Sequence, residues 1–174
     1  IGLITMKATY YTFDVFTDEL FQGAQIAVFP KADGLPEDKL DLIAREINLS
    51  ETAFIYETDE GDSTFYVRIF SPTGEQNFAG HPVLAIANVL AETGRIGVDG
   101  DYTSINLKQK SQDVIANISV SDSDKRFVQF TLNSSPVVDR FTPPGNELAK
   151  LLSINENDID HANYHTRLVS SGLP

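Results

Sequence analysis

The stretch from Pro82 to Thr93 constrains the fold more than any other part of this chain. Val83, Leu84, Ala85, Ile86, Ala87, Val89, Leu90 and Ala91 lie within it. Pro82 suits a first helical position, and Gly94 is placed to cap the far end. At 3.6 residues per turn these side chains cover nearly every face, and a helix apolar all round is buried all round. The segment reads as a central helix wrapped by sheet.

Alternating segments supply that sheet. Tyr11, Phe13 and Val15 alternate with Thr12 and Asp14, and Ile26–Phe29 follows after Gly23 as a short strand ended by Pro30. Ala53–Tyr56 and Phe65–Phe70 flank the acidic turn Asp59–Asp62 and read as an antiparallel pair, with Ser71–Gly74 as a loop. Ile105–Leu107, Val114–Val120 and Phe127–Leu132 alternate too, and Ser121–Asp124 is a polar turn. Leu40, Ile43, Ala44 and Ile47 have helical spacing with one apolar face, in a helix opened by Pro36. Pro143-Pro144-Gly145 marks a boundary. Beyond it Glu147–Leu152 reads as a short helix, Asn155 caps a turn through Ile159, and Leu168-Val169 begins a strand.

At 174 residues and 41% hydrophobic content the chain affords a sizeable core in one domain or slightly more. Thirteen basic against 25 acidic residues give a net charge of −12, which argues against nucleic acid and against anionic membranes as partners. No run reaches the roughly 20 apolar residues of a membrane span. The absence of cysteine fits a reducing compartment, and a cytoplasmic location is expected. Ile1-Gly2-Leu3-Ile4 has no basic flank and is not a signal peptide, and Met6-Lys7 reads as the natural start, which sets residues 1–5 apart.

Without cysteine, acid/base chemistry falls to Glu, Asp or His. Glu51 lies between an apolar helix and an apolar strand, where desolvation raises a carboxyl pKa toward the range of a general acid/base. A solvated turn glutamate, or one bonded to nearby backbone N–H groups, is the alternative. His81 stands at the entrance of the apolar helix, between Gly80, which allows close backbone approach, and Pro82. Free N–H groups and the positive dipole end make such an entrance an anion site, and His81 there positions a substrate or shuttles a proton. A capping or packing histidine is the alternative. His161 and His165 lie in a polar stretch and read as surface residues. No metal site is expected, no Gly-rich nucleotide motif occurs, and Ser170-Ser171-Gly172 is not a nucleophile elbow.

Four blocks then carry a resemblance: Tyr11 to Thr17, Ile43 to Phe54, Val67 to Pro72 and Asn77 to Val83. In this order and spacing the chain resembles the phenazine-biosynthesis isomerase-like family, which shares the diaminopimelate-epimerase fold. The resemblance spans residues 7–140, and residues 141–174 look like the opening of a second lobe. It implies an α+β fold of two similar lobes, each a mostly antiparallel sheet curled around a central buried helix, with the site in the cleft between them. The family's acid/base carboxylate matches Glu51, and its Gly-His pair matches Gly80 and His81. The chemistry implied is isomerisation of a small anionic substrate such as a dihydro-hydroxyanthranilate, without a cofactor, with a possible homodimer. The lack of cysteine separates the chain from the epimerase branch, which uses two opposed cysteines. Two features depart from the pattern. Gly23-Ala24-Gln25 stands where the family has Gly-Asn-Pro, and an aspartate and a Gly-Ser pair of the second lobe have no counterpart. The domain reading is therefore residues 1–5 upstream, 6–140 an N-terminal lobe, and 141–174 an incomplete second lobe. An isomerase is expected. A truncated, inactive lobe that binds or associates, or a small-ligand binding protein on the same scaffold, are the competing readings.

Overall fold

The computed structural model describes residues 7–98, 102–121, 125–132, 135–139 and 141–170. Residues 1–5, most of the Ser121–Asp124 turn and the closing Ser171–Pro174 lie outside the described residues. Contacts divide the chain into two compact units, Ile1–Asn133 and Ser134–Pro174.

Among the described residues the first unit holds eight strands: β1 (Tyr11–Val15), β2 (Ala24–Phe29), β3 (Glu51–Glu57), β4 (Thr64–Ser71), β5 (Gly74–Gln76), β6 (Thr103–Lys108), β7 (Asp113–Val120) and β8 (Arg126–Thr131). They form one mixed sheet in the order β1-β2-β3-β4-β6-β7-β8, with β5 paired on β4. Two helices, α1 (Leu40–Ile47) and α2 (Pro82–Glu92), complete the unit together with a 3-10 turn at Glu37–Lys39.

The helices explain where the sheet departs from an antiparallel ladder. A parallel pair needs a crossover, usually helical. The chain runs β2, α1, β3, and Ile26 pairs with Glu51 in parallel. It runs β4, β5, α2, β6, and Thr64 pairs with Asn106 in parallel. The remaining pairs of this sheet are antiparallel.

Strand alternation sorts side chains to two cores. Ile26, Val28, Ala53, Ile55, Val67 and Ile69 join the cluster around α2, while Phe29, Phe54 and Phe70 join Leu40 and Ala44 of α1. In α2, Pro82, Val83, Ala85, Ile86, Ala87, Val89 and Leu90 are buried. The helix touches β1 and β2 toward one end of the sheet and β7 and β8 toward the other, so the sheet curls about it. Each large aliphatic side chain buried there contributes about 1.5–3 kcal/mol.

Ser71–Gly74 is not a simple loop. Pro72 and Thr73 make a two-residue turn, Ser71 pairs with Gly74, and β5 folds back on β4. Gly74 takes φ 142°, which favours glycine. Three residues are too short to display an alternating pattern.

In the second unit β9 (Val137–Asp139) pairs antiparallel with β10 (Leu168–Ser170), and α3 spans Gly145–Leu152. A 3-10 turn at Glu156–Asp158 follows, and Asn155 caps it: Asn157 N–H donates to Asn155 Oδ1 at 3.0 Å and Asn155 N–H to Asp158 Oδ2 at 3.1 Å.

Candidate active site

The site begins where α1 ends. Asn48 adopts φ 57°, a left-handed cap that Asn tolerates, and its N–H donates to Ala44 O at 2.9 Å. Ser50 Oγ then donates to Gln25 O at 3.3 Å and brings the chain alongside β2. Glu51 opens β3, on the same face as Ala53 and Ile55, which is the face that packs on α2. Its side chain is 18% exposed.

His81 precedes α2 as its N-cap residue, but its side chain makes no cap hydrogen bond. The ring is free for another partner, and Nε2 stands 2.8 Å from Glu51 Oε2. That oxygen is buried, and the two groups meet without a well-formed hydrogen bond, so its accepting capacity is unused among the described residues.

The backbone at this corner is half used. Gly80 O accepts from Val83 N–H at 3.0 Å and His81 O from Leu84 N–H at 3.1 Å, as α2 begins. The N–H groups of Gly80 and His81 donate to no acceptor among the described residues. They are orphan donors at the positive end of an 11-residue helix.

Two sequence expectations change. The close approach at Gly80 is made by another side chain: a Cβ there would lie 3.2 Å from Phe130 Cζ and 3.8 Å from Phe78 Cζ. What Gly80 offers a ligand is its N–H. Ala24, in place of the family's Asn, is the first residue of β2 and packs against the α2 core. His161 and His165 are exposed, as the sequence leads one to expect, and lie in a turn and an irregular segment. Among the described residues no group of three His, Cys, Asp or Glu is placed to hold a metal ion. No helix among the described residues is long and apolar enough to cross a membrane.

Phe16, within the Tyr11–Thr17 block, has a place at this corner that its strand-like neighbours do not signal. It follows β1 with φ 65°, rare for a bulky residue, and is 73% exposed. Its ring centroid lies 6.2 Å from that of His81. Gly23, with φ 79° and only 2.2 Å between a built Cβ and Val15 O, is the one residue type that closes this connection to β2. A surface cavity of about 250 Å³ lined by Phe13, Phe16, Leu84 and Asn88 lies next to this corner.

The pattern of the phenazine biosynthesis-like proteins (PhzC-PhzF) matches residues 13–174. An uncharacterised isomerase of Pasteurella multocida is 47% identical over 81 residues, which are 47% of this chain and 28% of that protein. The trans-2,3-dihydro-3-hydroxyanthranilate isomerase of Pseudomonas fluorescens is 30% identical over 170 residues, covering 95% of this chain and 57% of that one. Among solved structures, a predicted epimerase of Pseudomonas aeruginosa superposes with a TM-score of 0.79 at 27% identity, covering 97% of this chain and 57% of its own. The chain spans about half the length of the curated relatives it matches over most of its own length. By sequence pattern along most of its length and by fold, this chain belongs to the phenazine biosynthesis-like family.

Proposed function

We propose that this chain is the glutamate-bearing lobe of a cofactor-independent isomerase that moves a proton on a small carboxylate-bearing substrate. The mostly antiparallel sheet around α2 is then one lobe of a diaminopimelate-epimerase-like pair, residues 6–140, and residues 141–174 open the other. The observation that carries the reading is the 2.8 Å approach of His81 Nε2 to a buried Glu51 oxygen, beside two unused N–H groups. The substrate carboxylate sits on the Gly80 and His81 N–H groups. Glu51 removes a proton from carbon, the C–H pair forms a new double bond to the neighbouring carbon, the pair of the old double bond shifts to the far carbon, and that carbon takes the proton back from Glu51. Nothing is oxidised or reduced. His81 holds Glu51 in place and stabilises its carboxylate charge before the first transfer and after the second. The substrate is similar in class to that of the Pseudomonas fluorescens relative. A cytoplasmic location fits a chain without cysteine.

Glu51→Gln keeps the shape of the side chain and removes its basicity. Loss of a general base costs on the order of 10²–10⁴-fold in rate, so turnover of trans-2,3-dihydro-3-hydroxyanthranilate falls by about that factor while circular dichroism is unchanged. Undiminished turnover in the variant overturns the assignment.

A second reading, a lobe that binds or associates without turnover, is favoured by one observation. Phe16, Leu20 and Phe21 are 73%, 80% and 90% exposed on a single connection, and such patches mark contact surfaces. Under that reading size-exclusion chromatography gives a dimer that binds anions and forms no product, with a homodimer as the working state.

A further inference from the structure

A buried amide lies in the first unit that the proposed reaction does not use. Among the described residues, Gln109 and Thr52 are the buried polar side chains, and Gln109 is 7% exposed. Its Oε1 accepts the Ala79 N–H at 2.9 Å, and its Nε2 donates to Ala79 O at 3.2 Å. Both bonds go to one residue, as a neighbouring strand would make them, so they fix both the place and the rotation of Ala79.

The grip continues along the chain. Ser111 N–H and Ser111 Oγ both donate to Asn77 O, at 3.1 and 3.0 Å. Gln109 N–H donates to Gln112 O at 3.2 Å and closes the turn that carries both residues. The turn between β6 and β7 thus holds Asn77 and Ala79, alternate residues of a segment that belongs to no helix or strand. The next residues are Gly80 and His81.

We infer that Gln109 is a positioning residue: its two bonds to Ala79 set where the Gly80 and His81 N–H groups and the His81 ring stand relative to Glu51. The catalytic consequence rests on the isomerase reading; the mechanical one does not.

The test uses the full chain. Gln109→Met keeps length and bulk and removes both bonds. Ile118→Val, buried in β7 away from this segment, serves as a control for general core damage. Hydrogen exchange read by NMR compares the Ala79 amide with the Ala53 and Phe54 amides of β3. In Gln109→Met the Ala79 amide exchanges at least about tenfold faster while β3 is unchanged, because the loss is local and not global. Turnover falls at least about tenfold, since small displacements of a holding group are costly in rate, and the control retains its activity. Ser111→Ala, at an exposed position, moves Ala79 exchange in the same direction by less and decides the matter if Gln109→Met does not fold. Ala79 exchange that rises only in step with β3, or turnover no lower than in the control, overturns the inference. Should Glu51→Gln leave turnover intact, the isomerase reading fails and the exchange data still decide whether Gln109 holds the segment.

Discussion

Gly80 shows how little room the corner leaves. A Cβ at 3.2 Å from Phe130 Cζ needs the ring to give by a few tenths of an ångström. Gly80→Ala is expected to cost about 1–3 kcal/mol, as overpacking does, and to displace the His81 backbone. Phe130→Leu added to it recovers part of the lost urea midpoint; a double variant no more stable than the single shows that the contact does not govern this position. The junctions that carry Glu51, Gly80 and His81, a strand start and a helix entrance, were legible in the sequence; that these residues serve one reaction is the proposal above. Phe16, Gln109 and Phe130, as neighbours of that corner, were not. They reach the site through folding, from about 30–65 residues away in the chain, and nothing local to them signals the encounter.

Among the elements, α2 was the most legible and is the most demanding. Ile86 is fully buried in it, and Ile86→Ala is expected to destabilise by about 2–5 kcal/mol through lost burial and an unfilled cavity. A loss under half a kcal/mol in denaturant unfolding would show that the helix is not the core of this unit. The one-faced α1 was equally plain from its spacing. The parallel pairings were not, because an alternating strand carries no mark of its neighbour's direction; the crossovers through α1 and α2 set it. Nor was β5, which is held by side chains more than by its own pattern. Arg68 Nε donates to Glu75 Oε1 at 2.7 Å, and that bond holds the Glu75 carboxyl below its ordinary value of 4.5 against the upward push of burial. A carboxyl depressed on folding stabilises above its unfolded pKa and loses that contribution as pH falls through the folded one. Stability should therefore drop below about pH 4.5 less steeply in Glu75→Gln than in the parent. Identical acid limbs in urea midpoints would remove Glu75 from the acid response.

At the scale of the molecule, the first unit is a curled sheet packed on a buried helix, and at one corner of it a carboxylate, an imidazole and two N–H groups without an acceptor among the described residues meet. The net charge of −12 makes that helix entrance valuable, because it offers an anion partial positive charge on an otherwise acidic protein. Lys125 pairs with Asp18 at 2.9 Å and ties the exposed connection that carries Phe16 to β8. The pair is largely exposed, and Lys125→Ala should leave the urea midpoint of the parent unchanged. The readiest test of the whole is to run the reaction on trans-2,3-dihydro-3-hydroxyanthranilate in deuterium oxide and read the product by mass and NMR. The parent chain should place deuterium on the carbon that receives the proton, and Glu51→Gln should place none above the uncatalysed background. Deuterium entering at the parental rate in Glu51→Gln would contradict the role given to Glu51.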